Sequence, residues 1–454
     1  MLFQEYLNTV DTLRDEICNL SDTLWDMAEL PFREFKSAAL LVSSLRRHGF
    51  TVEEGVAGIP TSFVARYGSG KPVIGILAEY DALSGISQKA CVAEESPIEG
   101  KDSFHGCGHN LFAAGSYGAA LAVRSYVEKT GKGSVILFGC PGEEGKGGKV
   151  FMSRAGVFKA ADAIVSWHPE QMYMVRTRPA LANVCVNYSF KGITAHAGAA
   201  PEKGRSALDA VELMNVAVNF LREHVPTSCR MHYAILDAGG IAPNMVQSRA
   251  VVQYLLRAST KAEVLDLRER VDRIAQGAAL MTDTTFTTQV VSAYSDLITI
   301  PTLQKTADAA MNDVPLPVPS EEDLAFAKAL QSTMKLTAEQ KAQPLYADHV
   351  REMAPPVAHG GSTDTADVSW NCPTVQMHIG TWVTGTPGHS WQSTSQGKIA
   401  YTQNSMLYAS KAVAATAMRL LENPSLVEEA KKEHLAKTGG VYVCPLPDEV
   451  QPDL

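Results

Sequence analysis

The first 170 residues alternate short apolar runs with longer segments of helical character, and this alternation constrains the fold more than any other feature. Apolar runs bounded by glycine or polar residues predict strands, and the Ala-rich stretch NLFAAGSYGAALAVRSYVEK predicts a helix between two of them. Such alternation favours an α/β domain with a mixed, largely parallel sheet. The predicted strands are TSFVARYG, VIGILAEY, SVILFGC and AIVSWHP.

The pattern changes at Ala182, where the predicted order becomes strand, helix, two strands, helix, strand. The two helices are SALDAVELMNVAVNFLREHV and AEVLDLRERVDRIAQGAALM. This order is typical of a compact ferredoxin-like α+β unit. A chain of 454 residues is long enough for two domains. We therefore predict one domain made of residues 1–181 and 300–454, with a second, α+β domain of residues 182–299 inserted into it.

Polar clusters lie at or after the ends of the predicted strands of the first domain. In open α/β sheets, binding sites form at the carboxyl ends of the strands, so clusters that are far apart in sequence can converge. A further histidine lies in the glycine-rich loop GTPGHSWQ. The clusters contain Glu79 and Asp81, then His105, Cys107 and His109, then Glu143 and Glu144, then His168, and finally His389.

Together these clusters supply the side chains that a two-metal hydrolase needs. Thiolate, imidazole and carboxylate groups bind divalent metals, and one carboxylate left unligated can act as a general base. Glu143 and Glu144 can divide these two roles, because neighbouring side chains on an extended segment point in different directions. The glycine between Cys107 and His109 can bring both of these side chains to one side of the chain.

Three other interpretations compete with a metal site. The stretch PGEEGKGGK resembles a phosphate loop, but its second glycine is not followed by Lys and then Ser or Thr. A nucleophilic pair of Cys107 and a histidine would leave Glu143, Glu144 and His389 without a role. A binding or regulatory protein that keeps this architecture without catalysis stays open.

Composition and charge argue against several classes of partner. The net charge is −9 without a basic cluster, which argues against nucleic acid and anionic membranes. No apolar run approaches the roughly 20 residues that span a bilayer. The N-terminal stretch MLFQEYLNTVDTLRDEICNL predicts an amphipathic helix and not a signal peptide. With 8 scattered cysteines and no disulfide framework, we expect a cytoplasmic protein.

A family resemblance is carried by motifs that follow one another along the chain: EYDAL, GCGHN, PGEEG, WHPE, AHAG, GRSALDAV and GTPGHSWQ. With these motifs the chain resembles the amidohydrolase branch of the aminoacylase/glutamate-carboxypeptidase metallopeptidase family over nearly its whole length. The resemblance implies a catalytic domain with two divalent metal ions, either Mn²⁺ or Zn²⁺. It also implies that the inserted domain is a lid that dimerises, with a second copy or with a related subunit.

The resemblance assigns roles to residues of the first domain. Glu143 matches the general base, and Asp81 matches a carboxylate that supports the metal ligands without binding metal. His105 matches no family role, so a loop histidine is the default. The residues that match metal ligands are Cys107, His109, Glu144, His168 and His389.

Residues of the lid match family positions as well. His196, in AHAG, matches a histidine that reaches the partner subunit's active site and polarises the scissile carbonyl. Asn244 and Arg257 resemble the residues that hold the free carboxylate of the substrate, although a strand arginine on the surface is an equal alternative for Arg257.

The activity implied by the resemblance is hydrolysis of the amide bond of a small N-acyl amino acid, with p-aminobenzoyl-glutamate as the first expected substrate. Another N-acyl amino acid or a β-alanyl dipeptide is the alternative. The stretch LYADHVREMAPPVAHGGSTD is shorter than the family pattern, and this departure concerns the identity of the substrate more than the chemistry.

Overall fold

The computed structural model describes residues 3–353 and 361–454, so part of the stretch LYADHVREMAPPVAHGGSTD, residues 354–360, lies outside the described residues. Most strands belong to two sheets, and β4 and β5 form a short separate pair. The strands are β1 (Thr51–Glu54), β2 (Phe63–Tyr67), β3 (Val73–Ala78), β4 (Leu83–Ser84), β5 (Ser103–Phe104), β6 (Ser134–Gly139), β7 (Ala163–Glu170), β8 (Met174–Val175), β9 (Ala182–Lys191), β10 (Arg230–Asp237), β11 (Arg249–Ala258), β12 (Thr285–Tyr294) and β13 (Thr374–Gly380).

Helices cover both ends of the chain and separate most of the strands. The predicted N-terminal helix is in fact two helices, because the chain leaves helical geometry at Leu13. The α-helices are α1 (Gln4–Thr12), α2 (Arg14–Met27), α3 (Phe35–Arg47), α4 (His109–Thr130), α5 (Gly148–Arg154), α6 (Ala207–Leu221), α7 (Lys261–Thr282), α8 (Pro301–Asp313), α9 (Glu321–Gln331), α10 (Ala338–Lys341), α11 (Thr365–Asn371), α12 (Trp391–Ser395), α13 (Ala400–Glu422) and α14 (Pro424–Thr438).

The larger sheet has the strand order β1-β2-β6-β3-β7-β13-β8. Its four central strands, β6, β3, β7 and β13, run parallel, while β1, β2 and β8 are antiparallel to their neighbours. The prediction of a mixed, largely parallel sheet is therefore confirmed. The predicted strand TSFVARYG is β2, and it is antiparallel to both of its neighbours, β6 and β1. The connection from β1 to β2, residues 55–62, is shorter than the crossover of a dozen or more residues that a parallel pair needs, so β1 and β2 pair antiparallel.

Helix α4 packs against β3, β6 and β7 of the larger sheet and against α13, and most of its residues are buried. Its many small residues allow this close packing. A Cβ atom on Gly115 would lie 2.5 Å from the ring of Trp167, which is closer than side chains pack. The helix ends at Gly131, whose positive φ of 67° is typical of a glycine that terminates a helix.

The smaller sheet has the order β10-β11-β9-β12, with every pair antiparallel. Helices α6 and α7 pack against it, and the side chains of Ser206 and Thr260 cap their N-termini. This is the strand order of a ferredoxin-like unit, in agreement with the sequence. All of its elements lie between Ala182 and Tyr294, inside the predicted range of 182–299.

Across residues 3–353 and 361–454, every helix is too short or too polar to cross a membrane.

Candidate metal centre and active-site cavity

The carboxyl ends of the parallel strands bring the predicted clusters together. Strand β3 ends just before Glu79 and Asp81, β6 ends just before the loop with Glu143 and Glu144, and His168 lies near the end of β7. This convergence follows from the parallel arrangement, because the carboxyl ends of adjacent parallel strands lie at the same edge of a sheet. A cavity of about 600 Å³ opens there, and its walls include Cys107, Glu143, Glu144, His168 and His389.

Cys107 faces His168 at the floor of this cavity. Its Sγ lies 3.4 Å from Nε2 of His168, and Nδ1 of His168 donates to the carbonyl of Pro169 at 2.8 Å. Because a carbonyl only accepts, Nδ1 carries the proton, and Nε2 of a neutral ring has a lone pair on the side of the sulfur. Gly108 makes the geometry possible, since its φ is 79° and an added Cβ would lie 2.7 Å from the ring of Trp382.

His109 begins helix α4 and is held by Asp81. Oδ1 of Asp81 accepts a hydrogen bond from Nδ1 of His109 at 2.9 Å, and Oδ2 accepts one from the backbone N–H of Glu144 at 2.8 Å. Nε2 of His109 is buried and faces Oε2 of Glu79 at 3.1 Å without the geometry of a hydrogen bond. Asp81 thus orients two potential ligands, and because Nδ1 donates to Asp81, Nε2 of a neutral ring carries a lone pair that could bind a cation.

Glu144 and His389 approach each other on the opposite side of Cys107. Nε2 of His389 lies 3.5 Å from Oε1 of Glu144, and that oxygen is buried without a hydrogen bond among the described residues. Burial raises the pKa of Glu144 to about 8. A buried carboxylate oxygen without a donor is costly, and a cation at this position would remove that cost.

The side chains that could hold metal fall into overlapping groups whose ligand atoms lie within 4.8 Å of one another. The first group is Cys107, His109 and His168, and the second shares its cysteine with Glu144 and His389. Together with Oε1 of Glu144, which is buried without a hydrogen bond among the described residues, this donor set fits two nearby divalent cations.

Glu143 belongs to a third group of this kind, together with Glu79 and His109. Its Oε1 accepts a hydrogen bond from the hydroxyl of Thr363 at 3.1 Å. Burial, followed by the negative charge of Glu79, raises the pKa of Glu143 above its usual range. A carboxylate with a raised pKa is suited to taking up a proton near neutral pH.

A buried ion cluster behind the cavity was not predicted from the sequence. Nζ of Lys149 lies 2.6 Å from Oε1 of Glu79 and 2.5 Å from Oδ1 of Asp364, and all three side chains are buried. Oε2 of Glu79 lies 3.1 Å from Nε2 of His109, so the cluster touches the candidate metal site. The sequence drew attention to Glu79 as a strand-end carboxylate but gave no reason to pair it with a lysine in a glycine-rich loop.

The predicted site residues of the α+β unit lie in two places. Arg257 lies behind the cavity wall, where its Nη1 donates to Oγ of the cavity-lining Ser362 at 2.6 Å. His196 and Asn244 are exposed neighbours and do not line the cavity of their own chain. Nδ1 of His196 accepts two backbone N–H groups at 3.1 Å, so a neutral ring carries its proton on Nε2 and can donate outward.

His105, the remaining residue of the cluster, has a structural role. It is buried, and its Nε2 donates to the carbonyl of Leu24 at 3.0 Å. Burial lowers its pKa to about 3, so the ring is neutral. It therefore connects the loop before α4 to helix α2.

Comparison with known proteins places this geometry in one family. Residues 75–390 match the model of peptidase family M20/M25/M40. The chain is 40% identical to a subunit of the p-aminobenzoyl-glutamate hydrolase of Escherichia coli strain K12, over 98% of this chain and 97% of that protein. It is 26% identical to the Xaa-Arg dipeptidase of Mus musculus, over 94% of this chain and 91% of that protein.

A solved structure agrees with the fold. The YXEP protein of Bacillus subtilis, described as a dinuclear metal-binding peptidase of the M20 family, superposes with a TM-score of 0.60 at 17% identity, covering 91% of this chain and 99% of that chain. At this identity the likeness concerns the fold alone. From the family match, and from a close relative aligned over almost its entire length, this chain belongs to peptidase family M20/M25/M40 and is a metal-dependent amidohydrolase.

Proposed function

We propose that this protein hydrolyses the amide bond of p-aminobenzoyl-glutamate or a closely related N-acyl amino acid. The observation that carries the proposal is the cavity in which Glu143 lies beside two groups of ligands that share Cys107. The relative with 40% identity is named for this substrate. Met172 and Met174 also line the cavity, and methionine side chains pack well against aromatic rings such as the aminobenzoyl group.

The residues that would hold two divalent cations are Cys107, His109, His168, Glu144 and His389. Bound there, the cations would act as Lewis acids that polarise an amide carbonyl. The thiolate and imidazole groups favour Zn²⁺, while the carboxylate also suits Mn²⁺, so both ions are candidates.

The protein's own side chains would move the proton. Glu143 takes a proton from the attacking water and then passes it to the leaving amine. Thr363 holds the Glu143 carboxylate in place through its hydrogen bond. Arg257, which contacts the cavity wall through Ser362, would hold the α-carboxylate of the amino acid together with Asn244. Because Asn244 lies beside His196, outside the cavity of its own chain, it would reach this carboxylate from a paired chain.

Residues 1–181 and 300–454 would form the catalytic domain, and residues 182–299 the lid through which two chains pair. Helix α6 exposes Leu213, Val216 and Phe220 on one face, with 37%, 54% and 72% of their surface accessible. Strand β10, at the edge of the sheet on which α6 packs, exposes Ile235 and Leu236. An apolar face beside an open strand edge is suited to a second copy or a related subunit.

In such a dimer, His196 of one chain would donate from Nε2 to the scissile carbonyl in the other chain's cavity. This explains why an outward-facing donor occupies the lid and not the cavity wall of its own chain. The dimer could be homomeric or formed with a related subunit, since the Escherichia coli relative is itself named as a subunit. All 8 cysteines are unpaired, which suits a reducing, cytoplasmic location.

The test is a hydrolysis screen with the purified protein reconstituted with Mn²⁺ or Zn²⁺. We expect release of p-aminobenzoate from p-aminobenzoyl-glutamate, and loss of this activity after chelation. Other N-acyl amino acids and β-alanyl dipeptides belong in the same screen. If the loaded protein cleaves none of these compounds but binds them, it is a binding or regulatory protein and the proposed hydrolysis is wrong.

A further inference from the structure

Arg176 is a cation in the wall of the active-site cavity that has no carboxylate partner among the described residues. It follows strand β8 and lines the same cavity as Glu143 and His168. It forms no ion pair with any residue in 3–353 or 361–454. The buried Lys149 of the same domain differs in this respect, because two carboxylates surround it.

The guanidinium of Arg176 is fixed by neutral partners. Its Nη1 donates to Oε1 of Gln376 at 2.7 Å, and its Nε donates to the carbonyl of Arg178 at 3.4 Å. Its backbone N–H donates to the carbonyl of Gln376 at 2.9 Å, and its own carbonyl accepts from Gln304 at 3.0 Å. The side chain is therefore held in position, while its other N–H groups have no acceptor among the described residues.

The surroundings favour an anion at this position. Burial lowers the pKa of Arg176, and the negative charges of Glu170 and Glu143 oppose this only in part. The guanidinium is partly removed from water, held in one orientation, and has N–H groups without acceptors. A carboxylate stabilises such a cation most, because it can accept two parallel hydrogen bonds. Such a ligand would compensate the desolvation of the guanidinium.

We propose that Arg176 binds the side-chain carboxylate of an acidic amino acid in the substrate, and so selects N-acyl glutamate or aspartate over neutral and basic N-acyl amino acids. This inference rests on the proposed amidohydrolase function. Arg257 would hold the α-carboxylate, and Arg176 the second carboxylate of the same amino acid. Gln376 is a positioning residue that orients the guanidinium.

The experiment compares p-aminobenzoyl-glutamate with p-aminobenzoyl-glutamine, which has the same shape without the second charge, and with p-aminobenzoyl-arginine. The variants are Arg176→Met, Arg176→Lys and the control Arg66→Met, an exposed arginine on β2. We expect Arg176→Met to lower kcat/KM for the glutamate compound about 50-fold and to change that for the glutamine compound less than about threefold. Arg176→Lys should restore part of the preference, and Arg66→Met should leave it unchanged.

If Arg176→Met lowers kcat/KM equally for both compounds, Arg176 has only a structural role. If the ratio of the two kcat/KM values is the same as in wild type, another group recognises the glutamate side chain. Either result overturns the inference.

Calorimetric binding of the glutamate and glutamine compounds to the Glu143→Gln protein, with and without Arg176→Met, separates this inference from the proposed function. If wild type hydrolyses nothing but binding retains an Arg176-dependent preference for glutamate, only the hydrolysis proposal fails. If no preference is seen in binding, the inference on Arg176 is wrong.

Discussion

The ammonium of Lys149 lies 2.6 Å from Oε1 of Glu79, and neither side chain has more than 2% of its surface accessible. Burial alone would lower the pKa of Lys149, but Asp364 and Glu79 raise it well above its usual range. The same ammonium holds the pKa of Glu79 below its usual range against the effect of burial. Contact between Lys149 and Glu79 thus favours the charged forms of both side chains, whereas burial raises the pKa of Asp364 well above its usual range.

Replacing Lys149 with Met should therefore destabilise the protein strongly. The change leaves two carboxylates buried without their cation, and losing one member of a buried ion pair costs about 3–5 kcal/mol. The measurement is urea unfolding at neutral pH. The matched control is Lys71→Met, because Lys71 pairs with Asp162 at 3.0 Å but is 72% exposed. It should cost less than about 1 kcal/mol. Equal effects of the two changes would show that the buried cluster does not depend on its charge.

Glu143→Gln should abolish hydrolysis while the protein keeps its metal. Glutamine has nearly the same shape but cannot take up a proton, so we expect turnover to fall by about a thousandfold or more. Metal content measured by elemental analysis is the second readout. If the variant loses metal and keeps activity, the roles of Glu143 and Glu144 are reversed.

Cys107→Ala should weaken metal binding, because the change removes the sulfur that two of the candidate ligand groups share. We expect at least about a tenfold lower affinity in competition with a chelator. Cys140→Ala is the control, since Cys140 is a buried free cysteine that belongs to none of these groups. Mass spectrometry during turnover should find no acyl adduct on Cys107. An adduct there would favour a thiol nucleophile and contradict the metal site.

The convergence of the polar clusters could be predicted because it depends on short-range patterns. Apolar runs fix the parallel strands, and the residues that follow each run must then meet at one edge of the sheet. This is why Asp81, Glu144 and His168 were identified from sequence and lie together in the structure. The order of the inserted domain was likewise encoded in the alternation of its strands and helices.

The buried ion cluster and Arg176 could not be predicted because they depend on contacts between distant segments. Lys149 follows a glycine-rich loop and reads as a solvent-exposed lysine, yet its partner Asp364 is 215 residues away. Arg176 is adjacent to a strand of only two residues, and its position is set by Gln376, 200 residues later. Neither pairing leaves a periodic pattern in the local sequence.

Asp367 should make stability depend on pH in a mildly acidic range. Burial raises its pKa to about 6 from 3.8, although Ser295 and Tyr442 donate hydrogen bonds to it. The folded state then binds this proton more tightly than the unfolded state, so stability is greatest below about pH 4 for this group and falls as pH rises to about 6.

The Asp367→Asn protein should lack this contribution. Between pH 4 and pH 7, wild type should lose about 3 kcal/mol relative to the variant, as the shift of the pKa requires. Urea unfolding across this range is the measurement, and Asp448→Asn, at an exposed position, is the control. Parallel stability profiles of wild type and Asp367→Asn would contradict the prediction.

Two inactive variants should restore each other if the lid completes the partner's site. His196→Ala and Glu143→Gln proteins, mixed and allowed to exchange subunits, form mixed dimers. In each mixed dimer one cavity has an intact Glu143 and faces an intact His196, because a symmetric pairing makes the lid contact reciprocal. With random pairing, half of the dimers are mixed and one site in each is intact, so about a quarter of the wild-type activity should return. Native mass spectrometry would verify that mixed dimers form. Mixed dimers without activity would mean that His196 does not act on the partner's cavity, since both inactive chains would then keep their own defect.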